Sequence, residues 1–266
     1  MSTQLIDTHC HIHEDDYPNT KASIEDSKEN GVTNFICVGT DLKSSRAAVE
    51  FANQHKEDGA YAAIGIHPHE AVSEKLDDVL SEETWQELAE LARDSRVIAI
   101  GEFGFDFFYH KEKEARANQT KLAKKHLELA KKCNKPVILH LRDAFEPFLE
   151  LIKDFPEING VVHSFSDTPE NLTKVLELPN NLYIGLNGIM TFSKSSEQLQ
   201  AAKNVPLSRL VLETDSPYLT PPPHRGKINS ISNTRIIAEF LSDLREENFE
   251  HFCQATTANA KRLFLI

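Results

Sequence analysis

Cysteine is scarce in this chain of 266 residues, and long apolar runs are absent from it. The four cysteines, Cys10, Cys37, Cys133 and Cys253, form no Cys-x-x-Cys pair, which is typical of a reduced, intracellular protein whose thiols pack as small apolar groups. No run approaches the ~18 apolar residues of a membrane span. No basic and then apolar stretch precedes the strand expected at Leu5, so we expect no signal peptide, no membrane association and a cytoplasmic location.

The chain also has fewer basic than acidic residues. Lysine and arginine total 29 against 41 acidic residues, which gives a formal net charge of -12. A large basic face that grips nucleic acid by its phosphates is therefore not expected. A nucleic-acid substrate is not excluded, because bound cations neutralise phosphate locally.

Apolar, β-rich runs recur about every 30 residues, with helical patterns between them. The runs cover 5–11, 33–40, 61–67, 97–102, 136–140, 160–163, 182–187 and 210–215. Eight strand–helix units in one chain predict an α/β fold, a (β/α)8 TIM barrel in which residues 1–266 form a single domain. The alternative is an open doubly wound sheet, which usually carries a glycine-rich phosphate turn after its first strand; this chain has none there.

The helical segments carry recognisable signals. Residues 112–133 predict a long amphipathic helix, charged on one side and apolar on the other. Thr168 followed by Pro169 predicts an N-cap and a proline at the first helical position. The tail, 231–264, predicts two further helices.

A His-x-His pair stands at the end of the first strand. Because side chains two apart in a strand share a face, His9 and His11 should lie side by side, with Asp7 one step deeper. Two neutral imidazoles converging in this way suit a divalent transition metal. Such a pair on its own is more often two unrelated polar residues, so it needs ligands from elsewhere in the chain.

Those further candidates stand at the ends of other strands. In a barrel these ends open on one face, where active sites are built. Each candidate alone has a structural explanation, as a core histidine, a loop acid or the start of a turn. Together they exceed one tetrahedral site and suit two metals bridged by a carboxylate, with positions open for water and substrate. The six predicted ligands are His9, His11, Glu102, His140, His163 and Asp215.

Three further residues are candidate contacts for substrate phosphate: His67, Arg142 and Arg225. Arg225 lies in a proline-rich loop after the eighth strand, a common place for phosphate in barrels, and its planar fork suits an anion. The alternative is a stiff proline loop that only closes the barrel, and we favour the contact with phosphate.

Other aromatic and histidine side chains have less certain roles. Four aromatics after Glu102 could stack on a nucleobase in a single strand or serve as core or lid residues: Phe105, Phe107, Phe108 and Tyr109. His69 is ambiguous. We expect the remaining histidines to be solvated: His13, His55, His110, His126 and His251.

In these motifs the chain resembles the TatD family of metal-dependent deoxyribonucleases, which belongs to the amidohydrolase-like barrels. The resemblance rests on Asp7-Thr8-His9-Cys10-His11, Gly65-Ile66-His67-Pro68-His69, Gly101-Glu102, the segment from Pro136 to Ala144, Val162-His163-Ser164-Phe165 and the segment from Leu212 to Leu219. Two departures are visible: Phe105 stands where the family usually has leucine, and Ile228-Asn229-Ser230-Ile231 replaces its Asn-x-Pro. The second departure bears on the shape of the phosphate loop and on substrate preference.

The resemblance implies a metal held by His9, His11, Glu102 and Asp215, and a second held by Glu102, His140 and His163. It implies Mg²⁺ or Mn²⁺, with Zn²⁺ possible, and 3′→5′ exonuclease or DNase activity. The expected substrate is DNA at a single-stranded 3′ end, and the expected assembly is a monomer or weak oligomer.

We therefore expect phosphodiester hydrolysis by a metal-activated water, with Asp215 and Glu102 as the catalytic residues. One alternative is amide or ester hydrolysis on the same barrel; such relatives often bridge their metals with a carboxylated lysine on the fourth strand, where Glu102 stands here. The other alternative is a metal-binding partner protein without catalysis.

Overall fold

Eight parallel strands form the centre of the structure, a computed structural model that describes residues 4–72 and 76–266. They pair in chain order, each with the next, in one sheet. The first strand meets the chain after the eighth, because the N–H groups of His11 and Asp215 donate to the carbonyls of Ser216 and His9 at 2.6 and 2.9 Å. The predicted (β/α)8 barrel is confirmed; the assignment of 1–266 to a single domain stays a prediction. The strands are β1 (Leu5–Cys10), β2 (Val32–Val38), β3 (Ala60–Ile64), β4 (Val97–Asp106), β5 (Val137–Arg142), β6 (Gly160–His163), β7 (Leu182–Leu186) and β8 (Leu210–Leu212).

Helices lie between the strands and after the last one. Within the described part of the chain, none is long and apolar enough to cross a membrane. The α-helices are α1 (Thr20–Glu29), α2 (Leu42–Gln54), α3 (Leu76–Leu80), α4 (Glu82–Leu91), α5 (Lys113–Cys133), α6 (Phe145–Ile152), α7 (Pro169–Leu176), α8 (Ile189–Phe192), α9 (Ser196–Asn204), α10 (Thr234–Leu244) and α11 (Phe249–Phe264). Short 3-10 turns cover Lys56–Asp58, Pro68–Val72, Leu207–Arg209 and Ile231–Asn233.

Three of the helix predictions are confirmed. The long helix α5 starts one residue later than predicted and buries its apolar side. Thr168 caps α7, accepting the N–H of Asn171 at 3.3 Å, and Pro169 is the first helical residue. The tail forms the two helices α10 and α11.

Several strands end elsewhere than predicted: β2, β3 and β5 differ by two or three residues, and the ends of β4 and β8 bear on the site. β4 runs four residues beyond Glu102 to Asp106, because its pairing with β5 continues to Arg142 and its two phenylalanines are buried. β8 ends at Leu212, because Thr214 forms hydrogen bonds with Asp7 of β1 instead of continuing the pairing with β7. The N–H and hydroxyl of Thr214 donate to the carboxylate of Asp7 at 2.9 and 2.6 Å, which ends the ladder.

Apolar side chains fill the space on both faces of the strands. The larger cluster joins the strands to the surrounding helices. The smaller one lies on the inner face, where Ile138, Val161 and Val211 meet Leu263 and Phe264 of α11. Each of these three strand residues stands two positions before a polar residue of the same face. The barrel interior therefore changes from apolar to polar towards the carboxyl ends of the strands.

The expectation of solvated histidines is wrong for His126 and for His13, which are 0% and 8% exposed. His126 Nδ1 lies 2.8 Å from the Leu122 carbonyl, its Nε2 accepts the N–H of Ile66 at 2.9 Å, and its ring stacks on Phe103. Because one ring nitrogen donates and the other accepts, this pattern requires the neutral ring. Burial lowers the pKa of both histidines to about 3.

The buried neutral His126 predicts a specific loss of stability in acid. Between the ordinary pKa of 6.5 and the folded pKa of about 3, the unfolded chain binds one proton more than the folded chain. The stability contributed by a neutral His126 is complete above pH 6.5 and falls as the pH drops towards 3. His126→Gln should therefore reduce the slope of unfolding free energy against pH by about 1.4 kcal/mol per pH unit within that window, measured by urea unfolding. The exposed His251→Gln is the control, and an unchanged slope in His126→Gln would show that the imidazole is already charged in the fold.

Candidate active site

A cavity of about 620 Å³ opens where the carboxyl ends of the strands meet. Five of the six predicted metal ligands line it, and His9, which is fully buried, lies beneath them. The five are His11, Glu102, His140, His163 and Asp215. The structure thus brings together side chains that stand up to about two hundred residues apart in the sequence.

The carboxylate of Glu102 is the centre of this cluster. Its Oε2 lies 3.4 Å from His9 Nε2. Its Oε1 lies 2.7 Å from His140 Nδ1 and 3.8 Å from His163 Nε2. The two oxygens of one carboxylate therefore face two different sets of ring nitrogens.

The first set contains His9 and His11 together with the carboxylate of Asp215, and the second set contains His140 and His163. The Nε2 atoms of His9 and His11 are 3.1 Å apart, and Asp215 Oδ1 lies 3.4 Å from His11 Nε2 and 3.7 Å from His9 Nε2. Ligand atoms of His9, His11 and Glu102 all lie within 4.8 Å of one another, as do those of His9, His163 and Asp215. These spacings are short enough for groups of this kind to hold a metal ion.

His67 stands beside the second set. Its Nε2 lies 3.7 Å from Glu102 Oε1, and it forms a third close group with Glu102 and His140. Its Nδ1 accepts the backbone N–H of His69 at 3.2 Å, so the neutral ring carries its proton on Nε2. In this tautomer His67 directs a hydrogen-bond donor at Glu102, and its role as a contact to phosphate stays a prediction.

Three of the predicted ligand histidines are oriented by an oxygen on their far side. This arrangement fixes one ring nitrogen and leaves the other directed at the cavity, as in most protein metal sites. The three pairs are His11 Nδ1 with the Val38 carbonyl at 2.8 Å, His140 Nε2 with Asp106 Oδ2 at 3.3 Å, and His163 Nδ1 with Glu213 Oε1 at 2.9 Å.

The electrostatics of the cluster suit cation binding. Burial acts to raise the pKa of Glu102, but the imidazoles of His9 and His140 outweigh it and hold that pKa well below its usual value. Burial lowers the pKa of His9, so this ring is neutral near pH 7. Burial also opposes the charge on His163, but Glu213 prevails and raises its pKa to about 10. A bound cation would release that proton.

Asp106 and Glu213 are functional candidates that the sequence reasoning missed. Asp106 stands four positions after Glu102 on the same face of β4, and Glu213 stands two positions before Asp215. Alternation along an extended β4 is the signal that could have indicated Asp106. Gly185 makes room for Glu213, because a Cβ there would lie 2.3 Å from Glu213 Oε2.

Asp106→Asn should impair the site through His140. Asp106 Oδ1 accepts the N–H groups of Phe108 and Tyr109 at 3.1 and 3.3 Å, so an asparagine would keep its oxygen there and turn its NH₂ towards His140 Nε2. The ring would then lose the partner that fixes its tautomer, and we expect hydrolytic activity or metal affinity to fall about 10- to 100-fold. The exposed Asp154→Asn is the control. Equal metal affinity and equal kcat in Asp106→Asn and wild type would contradict this role.

The two arginines that are predicted to contact phosphate differ in their position relative to the cavity. Arg142 lines the cavity, and its guanidinium carbon lies 3.9 Å from the ring centre of Phe108. Arg225 is not among the residues that line the cavity; it donates to the Thr220 carbonyl at 2.9 Å and lies over Phe192. Its role as a phosphate contact stays a prediction.

The barrel and the imidazole and carboxylate cluster at its carboxyl end are those of a metal-dependent hydrolase. A family model described as TatD related DNase matches residues 6–265, and the chain belongs to this family. The resemblance seen in the motifs is thereby confirmed.

Relatives match along the whole chain. The protein is 35% identical over 265 residues to YabD of Bacillus subtilis strain 168, with 98% of this chain and 99% of that protein covered. It is 33% identical over 268 residues to YcfH of Escherichia coli K12, with 98% and 96% covered. Both are described as uncharacterized metal-dependent hydrolases. The crystal structure of YJJV, a TatD homolog from Escherichia coli K12, superposes with a TM-score of 0.89 at 28% identity and full coverage of both chains.

Proposed function

We propose that this protein hydrolyses phosphodiester bonds in DNA with the help of two divalent cations, for both of which Glu102 would be a ligand. The observation that carries the proposal is the position of this carboxylate, whose two oxygens face separate sets of ring nitrogens. Two cations sharing a carboxylate are a common arrangement in enzymes that cleave phosphate esters. The family description as a TatD related DNase supports DNA as the substrate.

The proposed ligands are those of the sequence prediction. His9, His11, Glu102 and Asp215 would hold one cation. Glu102, His140 and His163 would hold the other, with His163 also lying within 4.8 Å of the ligand atoms of His9 and Asp215. Imidazole-rich sets of this kind favour Mn²⁺ or Zn²⁺, whereas Mg²⁺ prefers oxygen donors. When bound, the cations supply a Lewis acid and make water a stronger nucleophile at neutral pH.

The protein's own residues would bind and orient the phosphate and move the proton. Asp215, ionised at the cavity wall, would accept a proton from the attacking water as that oxygen bonds to phosphorus, and would pass it to the leaving ester oxygen as the P–O bond breaks. The Nε2–H of His67 and the guanidinium of Arg142 donate to phosphate oxygens. Glu102 stays ionised throughout, because nearby imidazoles hold its pKa low.

A substrate panel tests this function against its alternatives. Purified protein with added Mn²⁺ is incubated with single- and double-stranded oligonucleotides labelled at either end, and separately with amides and carboxylic esters. We expect phosphodiester cleavage that stops with chelator, and shortening from the 3′ end. Cleavage of amides or esters alone would establish the amidohydrolase alternative. Inertness to every substrate with both cations bound would favour a partner protein without catalysis.

Location and assembly are part of the same proposal. The four cysteines are free thiols, three of them buried, which suits the cytosol. We also propose that the protein is a monomer or weak oligomer.

A further inference from the structure

Two exposed aromatic side chains beside the cavity have no role in the hydrolysis outlined above. Phe108 and Tyr109 are 45% and 59% exposed, whereas Phe105 and Phe107 just before them are buried. We infer that Phe108, Tyr109 and Arg142, here called the aromatic rim, bind an unpaired nucleobase next to the phosphate that is cleaved. This inference rests on the proposed function and deepens it.

The three side chains of the aromatic rim pack against one another. The guanidinium carbon of Arg142 lies 3.9 Å from the ring centre of Phe108 and 4.9 Å from that of Tyr109. The two rings meet edge to face, with centres 4.8 Å apart. Aromatic rings and guanidinium planes are the surfaces on which proteins stack single-stranded bases.

The guanidinium of Arg142 is held in place without using its hydrogen-bond donors. The guanidinium lies over the rings of Phe108 and Tyr109, and across residues 4–72 and 76–266 no hydrogen-bond or ion-pair partner of this side chain is found. Its N–H groups are therefore available to an anion in the cavity that the side chain lines. A phosphate in the cavity and a base on the neighbouring rings would engage the same nucleotide strand.

A second recess continues from the cavity at this point. It has a volume of about 370 Å³, shares Leu141, Arg142 and Ser166 with the cavity, and has Phe108 and Phe165 among its walls. Leu141, which lines both spaces, directly follows the predicted ligand His140 in β5, so the aromatic wall lies next to the cluster around Glu102. Aromatic walls combined with polar side chains such as Asp167 and Gln198 suit a flat ring with hydrogen-bonding edges, which is the chemistry of a nucleobase attached to a phosphate in the cavity.

The aromatic rim is also tied to the metal-ligand cluster by Asp106. Oδ1 of this residue accepts the N–H groups of Phe108 and Tyr109, and its Oδ2 lies 3.3 Å from His140 Nε2. One carboxylate therefore sets the positions of both the stacking surface and a predicted ligand. The distance between a bound base and the reacting phosphate would be fixed by this link rather than left to a free loop.

The inference predicts a preference for unpaired strands. A base inside a duplex is stacked on its neighbours and must leave them to reach the rim, whereas a single strand or a frayed end presents it directly. Stacking tolerates any base, so little sequence preference is expected.

A binding experiment tests the aromatic rim without relying on turnover. The probe is octathymidylate with 2-aminopurine at one position, compared with the same oligonucleotide made abasic there, on protein carrying Asp215→Asn to prevent cleavage. We expect the base to tighten binding about tenfold and to be quenched on binding, as a stacked base is. Phe108→Leu and Tyr109→Leu should remove most of that difference, and Phe108→Tyr should keep it.

Tyr61→Leu is the matched control, because Tyr61 near the start of β3 lies under Arg96 in a similar stack, 5.0 Å from guanidinium to ring centre. This variant should keep the full base-dependent difference. Equal binding of the abasic and base-containing probes, or an undiminished difference in both leucine variants, would overturn the inference.

The outcome is separable from that of the proposed function. Base-dependent binding by a wild-type protein that cleaves no phosphodiester would support the aromatic rim and refute the hydrolysis. Cleavage of base-containing and abasic strands with the same KM would refute the aromatic rim and support the hydrolysis.

Discussion

Glu102→Gln is expected to lower phosphodiester turnover on the order of 10³-fold or more. The substitution keeps the size of the side chain but removes the negative charge that faces His9 through one oxygen and His140 through the other. It also places an NH₂ group where either His9 Nε2 or His140 Nδ1 now faces a carboxylate oxygen. Because both predicted cation positions depend on this carboxylate, we expect both to be weakened together.

The measurement is kcat with saturating Mn²⁺, together with the number of ions retained per chain. The fold is expected to persist, since Glu102 is one buried side chain in a barrel held by eight paired strands. Glu87→Gln, at a surface pair with Arg46, is the control and should match wild type. Turnover within tenfold of wild type in Glu102→Gln would contradict the central place given to this residue.

Asp215→Asn is expected to lower turnover by about 10²- to 10⁴-fold. Burial acts to raise the pKa of Asp215, but the hydrogen bond from His11 and the neighbouring imidazoles hold it below its usual value. The carboxylate is therefore ionised at neutral pH and able to accept a proton from water. Asparagine has nearly the same shape and cannot accept that proton.

The loss in Asp215→Asn should appear in kcat, with binding of single-stranded DNA retained. Asp16→Asn, an exposed acid near the same face, is the control. The backbone of Asp215 has a φ of 59°, a conformation that asparagine tolerates as well as aspartate, so the turn should be kept. A variant with wild-type kcat would remove Asp215 from the proton transfer.

The barrel and the meeting of the ligand candidates could be predicted from the sequence because both depend on short-range patterns. Strand spacing indicated eight parallel strands, and parallel strands bring their carboxyl ends to one face. Residues that directly follow an apolar run, such as His140 and His163, could therefore be placed without knowing any contact.

Other features depend on how far each element extends. Asp106 was missed because β4 was expected to end at Glu102, and only the longer strand returns Asp106 to the cavity. His126 was expected in solvent, although it stands four residues after Leu122 and four before Ala130 on the apolar side of α5. The apolar spacing of α5 predicts burial at this position, whereas the polarity of imidazole favours solvent, and the packing of the helix decides for burial.

Some contacts cannot be predicted from local sequence patterns, because they join residues that are distant in the chain. Arg225 lies over Phe192, which is 33 positions earlier in the chain, so its orientation depends on the packing of the loop after β8 against α8. The same loop is anchored by Asn229, whose amide donates to the carbonyls of Thr214 and Tyr218 at 3.0 and 2.5 Å. Only the folded chain shows that this asparagine holds the segment that carries Asp215.

Anomalous diffraction from crystals loaded with Mn²⁺ tests the central proposal most directly. We predict two peaks per chain on opposite sides of the Glu102 carboxylate, one beside His9 and His11 and the other beside His140 and His163. A single peak that lacks Glu102 as a neighbour, or ions bound only at the protein surface, would contradict it.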